Sequence, residues 1–232
     1  MKLISMLASV AIIGSSFFCV PSFATNDIDL QGFDLGSGSA PPQKSKPIHN
    51  QDTAKKNAST LFHNANDPIR GNTNGQITLV EFMDFKCSYC KHMEPVIESL
   101  IGNNSDLRVV IKEYPVKGPV STYAAKAALA AKKQGKYMAL HKALMDASDL
   151  SEEKVLELAS SVGVNTTQLK KDMESKAISQ QIQSNISLAQ QLQIQGTPAF
   201  FIVKTDLNSP IDFIMGAADQ SSIQDSINKM KN

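Results

Sequence analysis

The 232-residue chain carries 23 Lys and Arg against 22 Asp and Glu, is 42% hydrophobic and holds three cysteines. That length suits one medium domain or a domain with an appendage, and the apolar fraction excludes wholesale disorder. A net charge of +1 with no long basic run gives no electrostatic reason to expect nucleic acid or an anionic membrane as partner, and three cysteines cannot staple a disulfide-rich miniprotein.

Residues 1–24 read as a secretory signal peptide. Met1-Lys2 is a short positive start, residues 3–18 are uncharged, and Ser22 and Ala24 put small residues at the −3 and −1 positions of a cut after Ala24. A membrane anchor would need about 20 firmly apolar residues, and this run is shorter and diluted by serine. Phe18 is too bulky for a lipidation motif at Cys19. Cleavage removes Lys2 and Cys19, leaving 22 basic residues against 22 acidic ones and a single cysteine pair, Cys87 and Cys90. The expected location is the periplasm, where disulfides persist.

Residues 25–66 form an N-terminal extension. Gly36-Ser37-Gly38-Ser39 followed by Pro41-Pro42 is a flexible and then a stiff linker. Ile28, Leu30, Phe33 and Leu35 ahead of it fit two readings, a disordered tail or a segment that pairs with another chain. Residues 53–65 look helical, with Leu61-Phe62 able to dock on a core.

Residues 76–85 (QITLVEFMDF) read as a strand, 88–100 as a helix containing Pro95, and 107–113 (LRVVIKE) as a second strand. From 121 to 192 the pattern is helical, beginning with an alanine-rich amphipathic run. Ser151 with Glu152 and Glu153 starts one helix of that block, and residues 165–168 open another. Residues 199–203 (AFFIV) and 211–215 (IDFIM) are short strands, and Asp219 precedes a last helix ending near Lys231. The order describes an α/β fold in which helices cover a small sheet, with an insertion over about 118–193 between the second and third core strands.

Cys87-Ser88-Tyr89-Cys90 lies where a strand meets a helix. A sulfur at a helix N-terminus meets free N–H groups and the positive end of the dipole, both of which favour thiolate. The spacing puts the second sulfur on the same turn. Zinc would want four Cys or His ligands, and only two cysteines and four scattered histidines are at hand. Haem attachment needs a histidine where Lys91 stands, and a structural bond over so short a loop constrains the unfolded chain little. Redox exchange is the reading that survives.

These residues resemble a family. The CSYCK run with Pro95 behind it, the strand bearing Glu81, the helical insertion, and Gly196-Thr197-Pro198 before AFFIV are together similar to the DsbA-like thiol–disulfide oxidoreductases of the thioredoxin superfamily, over about residues 67–232. The resemblance implies a thioredoxin fold with Cys87 as attacking sulfur and Cys90 as its buried partner. It implies a cis bond at Pro198, although only about one X–Pro bond in twenty is cis. It also implies that Glu81 accepts the proton of Cys90, where strand alternation alone would allow an outward, solvated side chain. Ser88, Tyr89, Gly196, Thr197 and Pro198 would touch the client, with the Thr197 backbone pairing to it as an added strand. Lys112 is either a cross-strand partner of Glu81 or a surface lysine. Pro95 reads as a kink, and His92 and His141 carry no assigned role.

The resemblance implies exported proteins with cysteines as clients, a membrane redox partner, and neither metal nor other cofactor. Ser88-Tyr89 lacks the dipeptide histidine of strongly oxidising DsbA proteins, and CSYC with Thr before the proline is closer to the dimeric disulfide isomerases. A milder oxidant that also isomerises, as a homodimer built through residues 25 to about 65, is the expectation. Two rivals are a Cu(I)-handling protein that uses the two sulfurs, and a redox-silent chaperone.

Overall fold

A computed structural model describes residues 46–47 and 51–231. The expected signal peptide and the apolar residues Ile28, Leu30, Phe33 and Leu35 lie outside the described residues.

In chain order the elements are β1 (Lys46–Pro47), α1 (Gln51–Lys56), α2 (Ala58–Phe62), β2 (Ile69–Gly71), β3 (Ile77–Met83), α3 (Ser88–Asn103) and β4 (Leu107–Glu113). Five helices follow: α4 (Pro119–Lys132), α5 (Tyr137–Asp146), α6 (Glu152–Ser161), α7 (Thr166–Met173) and α8 (Lys176–Gln191). The chain closes with β5 (Ala199–Lys204), β6 (Asp212–Met215) and α9 (Gln220–Lys231). The sheet order is β1-β6-β5-β3-β4-β2. β3 and β4 run parallel, as a strand–helix–strand crossover through α3 requires, and the remaining pairs are antiparallel.

The strand–helix–strand, helical block, two strands and closing helix expected from sequence are all present. The short edge strands β1 and β2 were not anticipated: two or three residues show no period to read. Ser151 caps α6, its hydroxyl accepting from the Lys154 N–H at 3.1 Å, and Asn165 caps α7, accepting from the Gln168 N–H at 2.9 Å. α3 runs on through Pro95.

Every residue of β3 and β4 is buried, because both faces of the sheet are covered. On one face Leu79, Val109, Phe200 and Ile202 pack under α3 and α9 with Ile97 and Ile227. On the other, Val80, Phe82, Val110 and Phe201 meet Leu188 of α8 together with Leu61 and Phe62 of α2. Leu61 and Phe62 are fully buried, so this part of the extension belongs to the core, each side chain contributing about 1.5–3 kcal/mol. The alanines of α4 (Ala124, Ala127, Ala128 and Ala131) let the other insertion helices close around it, in a cluster that reaches Met83, Phe85, Cys87 and Cys90.

Lys112 is corrected here. Glu81 stands opposite Ile111, and Lys112 opposite Phe82, so in a pleat of period two the two side chains leave the sheet on opposite faces. Lys112 is fully buried under α2, where its ammonium pairs with the Asp67 carboxylate and donates to the Thr60 carbonyl. It is neither the partner of Glu81 nor a surface lysine. The residues that follow α2 are gripped by further cations: Arg108 donates to the Phe62 carbonyl at 2.8 Å and Lys132 to that of Asn66 at 2.7 Å.

Candidate active site

The C-terminal ends of β3 and β4 and the start of β5 lie at one end of the sheet, since Phe82 stands opposite Ala199 and Met83 opposite Glu113. Three loops therefore converge there: 84–87 after β3, 114–118 after β4, and 193–198 before β5.

Cys87 is the N-cap residue of α3, with extended backbone at φ −81° and ψ 116°. Both cysteines are free thiols and buried. The Cys87 thiol donates to the Thr197 carbonyl at 3.2 Å, and the Thr197–Pro198 peptide bond is cis. Gly196 and Thr197 are half-buried and Pro198 is buried. Ser88 and Tyr89 are exposed, Tyr89 at 63%.

The electrostatics separate the two sulfurs. The Cys87 thiol is lowered to about 5, chiefly by the hydrogen bond from Cys90; burial opposes this, and the Thr197 side chain and the Cys90 and Tyr89 N–H groups add to it. The Thr197 hydroxyl is buried without a partner while Cys87 is a thiol, and ionisation of Cys87 gives it an acceptor. Cys90 moves the other way. Burial, its hydrogen bond to Cys87 and the charge of Glu81 all push its thiol up.

Glu81 projects from β3 toward the α3 face, fully enclosed, with one carboxyl oxygen unpartnered. Burial and the neighbouring charge of Glu94 raise it to about 8, against the pull of Arg70. Sequence reasoning missed the groups around it. Glu94 is held down to about 2 although burial raises it, because His141 and Arg70 outweigh that penalty. Its carboxylate lies 2.9 Å from the Arg70 guanidinium and 3.3 Å from His141 Nε2. Glu94 was legible in principle: it follows Cys90 by four residues and so shares its helix face. Arg70, on the three-residue β2, had no such signal. Glu113 accepts from the Tyr137 hydroxyl at 2.6 Å, and burial pushes its carboxyl well up. His141 is a fully buried side chain packed on Phe85 and Tyr137, and His92 is exposed.

Asp84 was also missed. Its Oδ1 accepts from the Lys86 N–H at 2.8 Å and the Ser121 hydroxyl at 2.7 Å; its Oδ2 accepts from the Val116 and Lys117 N–H groups at 2.7 and 2.8 Å. Its carbonyl accepts from the Cys87 N–H at 3.0 Å. Among the described residues no group of three or more His, Cys, Asp or Glu is arranged to hold a metal ion.

Two thiols of opposite proton affinity, one facing a backbone carbonyl and the other backed by a buried acid, form a dithiol suited to stepwise exchange. Comparison with known proteins agrees. The model of the DSBA-like thioredoxin domain matches residues 78–228. A thioredoxin-like oxidoreductase from Silicibacter pomeroyi superimposes with a TM-score of 0.69 at 37% identity, covering 75% of this chain and 96% of that one. The catalytic domain of Proteus mirabilis ScsC gives 0.68 at 28%, covering 78% and 97%. In sequence, 139 residues are 28% identical to the Na(+)/H(+) antiporter NhaA 3 of Salinispora tropica; the match takes in 59% of this chain but spans only 21% of that antiporter's length. With its dithiol at a strand–helix junction inside the matched region, the chain belongs to the DSBA-like thioredoxin domain family.

Proposed function

We propose that the protein exchanges disulfides with exported client proteins in the periplasm, forming bonds and isomerising them as a homodimer. The observation that carries this reading is the Cys87 sulfur, held 3.2 Å from the Thr197 carbonyl with its thiol lowered to about 5. It is a thiolate at neutral pH and a good leaving group.

In the oxidising direction a client thiolate attacks the Cys87 sulfur of the Cys87–Cys90 disulfide. A client–Cys87 bond forms, the Cys87–Cys90 bond breaks, and Cys90 leaves as thiolate. Glu81, raised to about 8 and so protonated at neutral pH, gives its proton to Cys90. A second client thiolate attacks the client sulfur of the mixed disulfide and expels the Cys87 thiolate. Two electrons have passed to the protein, and a membrane redox partner removes them. As isomerase the pair starts reduced and Cys87 opens a wrong client bond; Glu81 first releases its own proton to solvent, and its carboxylate then takes the Cys90 proton when Cys90 resolves the mixed disulfide. Pro198 places the Thr197 backbone beside the sulfur, where a client segment pairs with it as an added strand next to Gly196, Ser88 and Tyr89.

Ala54, Leu61 and Phe62 pack in the protein's own core, and the homodimer would be built through other parts of residues 25 to about 65. The test replaces Cys90 with Ala in cells and looks for clients held on Cys87 as mixed disulfides; their absence would count against exchange. A monomer by sedimentation, inactive on scrambled ribonuclease, would sink the isomerase half.

A further inference from the structure

Among the described residues, Tyr89 and Val116 are the large hydrophobic side chains left exposed, at 63% and 43%. Tyr89 stands in the first turn of α3 and Val116 in the loop after β4, at the same end of the sheet. Tyr89 is inside the CxxC motif. Val116 lies in the loop between β4 and α4, and its backbone is tied to the CxxC approach by a single side chain. Asp84 is 1% exposed; its Oδ2 accepts from the Val116 and Lys117 N–H groups and its Oδ1 from the Lys86 N–H and the Ser121 hydroxyl, while its carbonyl accepts from the Cys87 N–H. Four donors on one buried carboxylate are charge-assisted bonds of about twice the ordinary strength, and they tie the loop after β3 to the loop after β4.

The rim around this pair is cationic. Lys86 and Lys117 are both exposed, and neither ammonium has an ion-pair partner among the described residues. The Asp84 carboxylate, saturated by its four donors and buried, is not presented to a ligand. The acids at the end of α5, Asp146 and Asp149, act on Lys91 instead.

We propose that the 114–118 loop is a second wall of the client site, opposite the 193–198 loop. Val116 is a specificity-determining contact for an apolar client side chain, Lys86 and Lys117 receive a carboxylate beside it, and Asp84 is the positioning residue that sets the wall against Cys87. The partner is an extended cysteine-containing segment with an apolar residue next to an acidic one. This rests on the exchange reading above and adds to it a selection rule that the near-zero net charge of the whole chain does not supply.

The test uses the full protein in its disulfide form and two dithiol peptides, one with Leu-Glu beside the first cysteine and one with Ser-Lys there. Each peptide gives two electrons and two protons and closes its own disulfide, while Cys87–Cys90 opens to the Cys87 thiolate and the Cys90 thiol and the second proton passes to solvent. The oxidation rate of dithiothreitol, which reaches no wall, is the reference for every variant. The Leu-Glu peptide should react about tenfold better in kcat/KM, the scale of one apolar contact plus a charge pair. Val116→Ser should lose most of that ratio, and Lys86→Glu with Lys117→Glu should invert the charge preference. Asp84→Asn should raise KM for the Leu-Glu peptide more than it lowers kcat. Equal rates for both peptides in the wild type, or a wild-type ratio in the Val116 and double-lysine variants, would overturn the proposal. So would loss of a dimer by sedimentation in Val116→Ser, which would make this patch a contact between copies. Failure to oxidise dithiothreitol at all would instead strike the exchange reading itself.

Discussion

The first sulfur's proton affinity is set above all by the second sulfur, and that dependence can be measured. With its thiol lowered to about 5, Cys87 is about 99% thiolate at pH 7, which stabilises the reduced folded protein by about 3 kcal/mol relative to a free thiol near 8.5. For a two-electron couple this makes the pair more oxidising by about 60 mV. The folded value is depressed, so the stabilisation is full above the unfolded value and is lost as pH falls through about 5. The largest single cause is the hydrogen bond from the Cys90 thiol. A hydrogen bond to a charged group is worth about 1.5–3 kcal/mol, so Cys90→Ala should raise the Cys87 midpoint to between about 6 and 7. Cys90→Ser keeps a hydroxyl donor on the same helix turn and should hold the midpoint near its starting value. Thiolate absorbance at 240 nm followed against pH reads both. A Cys90→Ala midpoint still near 5, or serine and alanine variants that titrate alike, would refute the reasoning and hand the effect to the helix terminus.

Three further outcomes follow from the buried charges and the docked helix. Glu81 is raised to about 8, so the unfolded chain releases its proton first and folding stability falls as pH rises between about 4.5 and 8; Glu81→Gln should therefore gain stability over wild type by about 3 kcal/mol at pH 7 and little at pH 4, by urea denaturation. Breaking the buried Asp67–Lys112 pair with Asp67→Asn should cost about 3–5 kcal/mol, and a double-mutant cycle should couple Lys112 strongly to Asp67 and weakly to Glu81. Phe62→Ala should cost about 3–5 kcal/mol in the same denaturation assay, because its ring is fully enclosed between α2 and the sheet; a loss under 1 kcal/mol would place α2 outside the cooperative fold.

Local chemistry was readable in the linear chain wherever it repeats or sits next to its partner. Apolar, β-prone runs marked β3, β4 and β5, helical periods marked the insertion helices, hydroxyl and amide caps marked α6 and α7, and the three-residue spacing of Cys87 and Cys90 pointed to a redox pair, because each of these depends on neighbours within one or two turns. Glu81 was named through the family resemblance, but its enclosure was not predictable from alternation, since a sheet covered on both faces buries every residue of its central strands. The partner of Lys112 went unseen for a related reason. A one-residue difference in register sends Glu81 and Lys112 to opposite faces, and Asp67 comes from a loop 45 residues away. Arg70 and His141 likewise meet at Glu94 from a short edge strand and another helix that only the packing brings together. The sequence by itself determined what chemistry the chain carries. Tertiary structure decided which sulfur ionises and which acid keeps its proton, because burial and distance between remote segments set both energies and neither is written in residue order.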